Sequence, residues 1–227
     1  MNRESIALSW SGGKDSTLAL HELRASGLYD VQVLLTTVTR EYERISIHGV
    51  RRVLLEQQTK SLGVPLEIAF IPPACPNDEY ERSFGEALER CRSRGISTLA
   101  AGDLYLADVR AYRAAFAERH SMKTLFPIWE RDTTQLAEEF IEAGFKAILT
   151  CVDTHALGAE YSGRDFDAEL LRDLPSPVDP CGENGEFHTF VWDGPGFSHP
   201  INCVRGETIL QDERFMFCDL LPDDEHS

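Results

Sequence analysis

Ile6-Ala7-Leu8 and, three residues on, Ser11-Gly12-Gly13-Lys14-Asp15-Ser16 decide how this chain folds. The first run is apolar and strand-like and the second opens a helix-like stretch, so together they predict a strand, a tight glycine turn and a helix. Two adjacent glycines let the backbone turn with its N–H groups inward, and the amino end of a helix adds partial positive charge; both suit an anion of phosphate type. Ser11, Ser16 and Lys14 add donors. Asp15 cannot help an anion directly, which leaves it as a helix cap or as a contact to a metal ion accompanying the phosphate. A plain strand-turn-helix corner with a Gly-Gly turn and an Asp cap is the alternative, and it needs fewer donors.

Two better-known glycine loops are excluded. A Walker loop requires Gly where this chain has Leu8 and Ser or Thr where it has Asp15. A dinucleotide fingerprint fails at His199, where the third glycine after Gly194 and Gly196 would stand. The hexapeptide instead resembles the pyrophosphate-binding loop of the N-type ATP pyrophosphatases, which cleave ATP between the α and β phosphates.

At 227 residues the chain can form one large or two small domains, and 42% hydrophobic with 26% charged residues is the balance of a soluble globular protein. A net charge of -16 opposes attraction to nucleic acid or to an anionic membrane. Six cysteines without a C-x-x-C pair, and histidines without H-x-x-x-H spacing, indicate neither a structural zinc site nor a disulfide framework. Cys181 is kept open because of its neighbours. No leader and no long apolar run is evident, and a reducing cytoplasm is the expected setting.

Strand-like and helix-like segments alternate through the first two thirds. Residues 31–35, 66–71, 97–101 and 146–152 read as buried strands. Tyr80, Phe84, Ala87, Leu88 and Cys91 share one helical face before Gly95; Val50, Val53, Leu54 and Gln57 do so before Gly63, and Leu136, Ala137, Phe140 and Ile141 before Gly144. Asp132-Thr133-Thr134-Gln135 has the form of a helix cap. The alternation predicts an α/β fold, a parallel sheet wrapped by helices with ligands at the carboxyl ends of its strands. After about Val152 the texture shifts to Gly-, Pro- and acid-rich loops with β-like pieces at 187–192 and 214–220. The expected division is residues 1–130 and a smaller α+β part, 131–227.

The second part carries Asp179-Pro180-Cys181-Gly182-Glu183-Asn184-Gly185-Glu186-Phe187-His188-Thr189-Phe190. As a plain hairpin, it would turn at Asn184-Gly185, leave Glu183 and Glu186 solvated and point His188 outward. As a binding loop, its two carboxylates and intervening amide could hold a metal, an ammonium ion or a substrate amine.

Both motifs in this order, with Ala101-Gly102-Asp103, Pro127-Ile128-Trp129, Leu157-Gly158 and Gly163-Arg164 between them, resemble the diphthine-ammonia ligase family over nearly the whole chain. The resemblance implies a Rossmann-like, HUP-type ATP-binding domain followed by a smaller substrate domain. It also implies adenylation of the diphthine carboxylate and displacement of AMP by ammonia. Where archaeal and eukaryotic members read E-G-G-E-[YF]-E-T, Asn184 replaces a glycine and His188 an acid. This wording is similar to the bacterial branch, and bacteria make no diphthamide, so the acceptor is an unknown carboxylate of a small molecule or protein side chain.

On that resemblance, Ser11, Gly12, Gly13, Lys14, Asp15 and Ser16 hold the β and γ phosphates of ATP. Lys14 and Asp15 are catalytic. Mg²⁺ is expected on Asp15, with Asp103 a second candidate that could equally cap the next helix. His48 is a further ATP contact or a local cap. Glu183 and Glu186 are expected to collect ammonium and accept its proton. Gly182, Asn184, Gly185 and Thr189 form the rest of the acceptor site, with Arg164 as a carboxylate or phosphate fork or as an ion-pair partner of Asp165 or Asp167. A homodimer is among the assemblies allowed. Two other readings are a tRNA-modifying enzyme on the same loop, opposed by the net charge, and a nucleotide-binding protein without turnover.

Overall fold

A computed structural model describes residues 3–46 and 48–223. Along the chain the elements are β1 (Glu4–Ser9), α1 (Lys14–Ser26), β2 (Tyr29–Thr39), β3 (Arg44–Ile45), α2 (Arg52–Leu62), β4 (Leu66–Ile71), α3 (Asn77–Ser93), β5 (Thr98–Ala100), α4 (Ala107–Arg119), β6 (Lys123–Leu125), α5 (Thr133–Glu142), β7 (Lys146–Asp153), a 3-10 turn (Ala159–Tyr161), α6 (Ala168–Asp173), β8 (Phe187–Asp193), β9 (Cys203–Gln211) and β10 (Phe215–Pro222). The described residues fall into two compact units. The first comprises those of Met1–Ser11, Asp15–Ser46 and Gly63–Glu130, the second those of Gly12–Lys14, Ile47–Leu62 and Arg131–Ser227.

The first unit is built on a sheet in which β1 pairs in parallel with both β2 and β5, β2 with β4, and β5 with β6; short β3 runs antiparallel to the end of β2. Chain order therefore proceeds outward from β1 in one direction through β2 and β4, then in the other through β5 and β6. The reversal between β1 and β5 is the topological switch point, where the carboxyl ends of an open parallel sheet leave a crevice for ligands. Ser11 follows β1 there, and Ala101-Gly102-Asp103 follows β5.

Alternation along β1 sends Ala7 to one face and Ile6 and Leu8 to the other. Ala7, Val33, Leu35 and Leu99 join Phe84, Ala87, Leu88 and Cys91 of α3 and Phe116 and Ala117 of α4 in one buried cluster. This is the expected face of α3, and Tyr80 stacks on Phe84 at 5.7 Å. Helices α2, α3 and α5 end just before Gly63, Gly95 and Gly144, as the sequence predicts.

The second unit holds an antiparallel sheet in the order β8-β7-β10-β9. Strand β7 was expected in the parallel sheet and belongs here instead. Residues 147–153 are all buried, and a fully buried run does not reveal the direction of its neighbours. Phe140 of α5 stacks on Phe145 at 5.0 Å and meets Phe166 edge-on at 5.5 Å. Helix α4 and strands β6 and β9 have no counterpart in the sequence reading: α4 buries only Phe116 and Ala117, and β9 is exposed along most of its length.

Helix α2 begins at Arg52, not Val50, and Val53 is 41% exposed. Its inner face is Leu54, Leu55, Gln58, Thr59, Ser61 and Leu62, half of it polar. Asp132 caps α5 as its sequence suggests, its Oδ1 accepting the Gln135 N–H at 2.9 Å. Asp132→Ala should cost about 1 kcal/mol, seen as a lower urea midpoint with an unchanged slope.

Candidate active site

In the first unit, Ser11 and Ser16 place their hydroxyls 3.2 Å apart, with Asp15 in the first turn of α1 rather than at its cap. A Cβ on Gly102 would lie 2.7 Å from the Asp15 carbonyl oxygen. Only glycine lets the loop after β5 come this close to the start of α1, and that approach sets Asp103 beside Asp15. Asp103 does not cap α4, whose cap position is Leu106 with no side-chain bond. Its Oδ1 accepts from Arg113 Nε at 3.1 Å; Oδ2 is 3.0 Å from the same nitrogen but is buried and accepts no hydrogen bond. Burial, and secondarily the charge of Asp15, push the Asp103 carboxyl above its usual range, against the pull of Arg113. Among the described residues no three His, Cys, Asp or Glu side chains converge as a metal site. Mg²⁺ normally takes one or two carboxylates together with phosphate oxygens, so Asp15 and Asp103 suit an ion that arrives with a nucleotide.

In the second unit, Gly12 has φ +76°, and a Cβ there would meet Gln58 Oε1 and Leu55 Cδ1 at 3.0 Å. Its carbonyl accepts from the Val191 N–H at 2.9 Å and from Gln58 Nε2 at 3.0 Å, while Gln58 also donates to the Val191 carbonyl at 2.6 Å. Gln58 is fully buried. The Lys14 N–H donates to Thr189 Oγ1 at 3.0 Å. Thr189, read from the sequence as an acceptor contact, is thus buried and bound to the glycine loop. The Lys14 side chain is also buried, its ammonium 5.7 Å from the Phe187 ring and 6.0 Å from Phe166.

The Gly182–Glu186 segment is not a hairpin, since no strand precedes β8 within it. Asp179 organises it instead: Oδ1 accepts the N–H of Cys181 at 2.8 Å and of Glu183 at 3.3 Å, and Oδ2 accepts from Thr133 Oγ1 at 2.7 Å. Cys181 is buried, its thiol donating to the Thr133 carbonyl at 3.3 Å. Glu186 is not solvated as a hairpin would leave it; it is 5% exposed. Its Oε1 takes the Asp179 N–H and Asn184 Nδ2, both at 3.0 Å, whereas its buried Oε2 has no hydrogen-bond partner. Glu183 is half-buried and Asn184 exposed, while Gly185 donates its N–H to the Gly182 carbonyl at 3.0 Å.

His188 is partly buried instead of pointing freely into solvent. Its ring lies 4.5 Å from that of His48, whose Nδ1 is buried without a hydrogen-bond partner. His48 precedes α2 by four residues and does not cap it. Burial first, then the charges of His188 and Lys14, hold His48 well below its ordinary value despite a hydrogen bond with the Thr189 backbone. Burial, with Lys14 second, lowers His188 to about 4. Arg164 pairs with Asp173 at 2.8 Å, and neither expected partner is used: Asp165 binds Arg205, and Asp167 caps α6.

The sequence reading missed Gln58 and Asp179. Gln58 lay one position from the expected apolar face, and Asp179-Pro180 carried the signature of an Asx turn. Gln58→Leu should cost about 2 kcal/mol by removing the donor that two buried carbonyls share, measured by urea unfolding. For His188 the folded value lies below the unfolded 6.5, so the unfolded chain takes the proton first as pH falls. Its contribution is complete above the unfolded value and is lost on descending toward about 4. The wild type should lose on the order of 2 kcal/mol more than His188→Asn between neutral and acid pH, read from paired denaturation curves.

The diphthamide synthase N-terminal domain model matches residues 4–124, and the diphthamide synthase C-terminal domain model matches residues 132–220. Diphthine–ammonia ligase of Danio rerio is 25% identical over 224 residues, covering 89% of this chain and 88% of that protein. The protein of the same name from Homo sapiens is 23% identical over 231 residues, covering 90% and 85%. That of Schizosaccharomyces pombe is 29% identical over 96 residues, 40% of this chain and 16% of the longer yeast protein. With both domain models matched in succession, the chain belongs to the diphthamide synthase family.

Proposed function

We propose that this chain is an ATP-dependent ligase of the diphthine–ammonia type, which adenylates a carboxylate with release of pyrophosphate and then forms an amide with ammonia. The observation that carries this reading is the Gly12–Lys14 turn after β1, held by Gln58, Val191 and Thr189. Similarity to proteins named diphthine–ammonia ligase supports the reaction class. Residues 1–130 serve the nucleotide and residues 131–227 the acceptor, in a cytoplasmic protein.

Ser11, Gly12, Gly13, Lys14, Asp15 and Ser16 position the β and γ phosphates, with His48 as a further nucleotide contact. A carboxylate oxygen attacks the α phosphorus in line with the oxygen that leaves with pyrophosphate, so one P–O bond forms as another breaks. Positioning and charge neutralisation supply most of the acceleration. Mg²⁺, held by Asp15 and Asp103, would supply part of that neutralisation.

In the second half-reaction an ammonium ion gives a proton to a carboxylate, and the resulting ammonia attacks the acyl carbon while AMP departs. Glu186 Oε2, buried and without a hydrogen-bond partner, is the acceptor we favour for one ammonium N–H, with Glu183 assisting. Gly182, Gly185 and Asn184 shape the loop. Thr189 serves the site by fixing the Lys14 amide, and Arg164 can reach an acceptor only by giving up Asp173. Asn184 and His188, whose ring lies tilted against that of His48, stand where archaeal and eukaryotic ligases have glycine and an acid, and they support an acceptor other than diphthine.

With ATP labelled at the α phosphate, Mg²⁺, ammonium and a panel of carboxylates, the nucleotide product should be AMP. ADP as the main product would overturn the reading. Asp15→Asn should lower turnover by about 10²-fold or more with an unchanged circular dichroism spectrum. Glu186→Gln should retain ATP binding and pyrophosphate release but lose amide formation, and full amide yield from it would remove the ammonium role.

A further inference from the structure

Pro127-Ile128-Trp129 is a motif that the proposed chemistry leaves unused. In the first unit it follows β6, the neighbour of β5 on the side of the switch point away from β1. The loops after these strands are joined by two bonds, Ala101 N–H to the Leu125 carbonyl at 2.9 Å and Glu130 N–H to the Leu104 carbonyl at 2.7 Å. Asp103 and Trp129 therefore flank the same seam.

Helix α4 reaches both. Arg110 and Arg113 lie three residues apart, on one helix face. Arg113 is committed to Asp103, whereas the Arg110 guanidinium lies over the Trp129 ring at 4.4 Å and the Phe126 ring at 5.2 Å. Arg110 is exposed, and its side chain makes no hydrogen bond or ion pair among the described residues. Trp129 Nε1 is buried without an acceptor. An indole N–H can only donate, and burying it unpaired costs free energy that a bound acceptor would recover.

We propose that Arg110 and the Trp129 indole N–H form a carboxylate-binding site at the carboxyl end of β6. Both groups donate, neither is matched by an acceptor among the described residues, and one is a cation, so an oxyanion is the ligand that answers both. The guanidinium lies over both rings, and its N–H fork is one a carboxylate can take up with two parallel bonds. Asp103, Asp108 and Glu130 outnumber Arg110 and Arg113 in this stretch, and their repulsion bears less on a monovalent carboxylate than on a divalent phosphate. The exposed Arg110 meets the ligand first, and the buried indole N–H is the second donor. That this carboxylate belongs to the acceptor rests on the ligase reading above.

The test uses the full chain labelled with ¹⁵N at its indole nitrogens. Trp10, Trp129 and Trp192 give three indole resonances, and Trp129→Phe assigns one of them. Acetate, titrated at constant ionic strength and neutral pH, should shift the Trp129 resonance saturably. Acetamide, and acetate added to Arg110→Gln, should act about tenfold more weakly, the loss expected for one charge-assisted bond. Arg110→Lys, with charge but no fork, should fall between. No saturable shift, an equal response in Arg110→Gln, or a stronger response to inorganic phosphate would each overturn the carboxylate site. A Trp129 shift in a protein that makes no AMP would leave the site standing and remove the ligase reading. AMP formation without the shift would remove the site alone.

Discussion

The second unit depends on a single buried amide. Gln58 Nε2 donates to the carbonyls of Gly12 and Val191 at once, and the Val191 N–H closes the arrangement on the Gly12 carbonyl. A glycine with positive φ would otherwise be among the least restrained points of the chain. Here its carbonyl is fixed by two donors and its Cα is packed against Leu55 and Gln58. An apolar residue at position 58 would leave two buried carbonyls short of a donor, which explains why the inner face of α2 departs from the apolar stripe of an ordinary amphipathic helix.

The same logic runs through the Gly182–Glu186 loop. Asp179 gathers two backbone N–H groups and the Thr133 hydroxyl, and Glu186 in turn takes the Asp179 N–H with Oε1. One oxygen of Glu186 is thereby used to hold the loop while the other stays buried and unpartnered. A carboxylate held in this way is oriented before any ligand arrives, which is the condition for an effective proton acceptor.

Much of this was legible in the sequence because it depends on local rules. Apolar runs marked β1, β2, β4 and β5, the period of α3 gave its buried face, and Asp132 announced the start of α5. The glycine hexapeptide lay where strand gives way to helix, as read. What escaped was decided by distant partners. The antiparallel setting of β7 comes from β8 and β10, residues far along the chain. The turn to Gln58 is invisible without knowing that Gly12 and Val191 lie beside it. His188 looked like the outward member of an alternating strand until His48 supplied a neighbour, and Arg164 found Asp173 nine residues on instead of the acids beside it. Exposed α4 and β9 bury too little apolar surface to leave a pattern.

Lys14 occupies the first position of α1, where the aligned peptide dipoles already make the helix end positive, and its side chain is buried rather than hydrated. Both circumstances work against a cation there; its two aromatic neighbours offset part of that opposition. A helix start that already carries partial positive charge, with a cation added to it, favours an anionic neighbour over a neutral one.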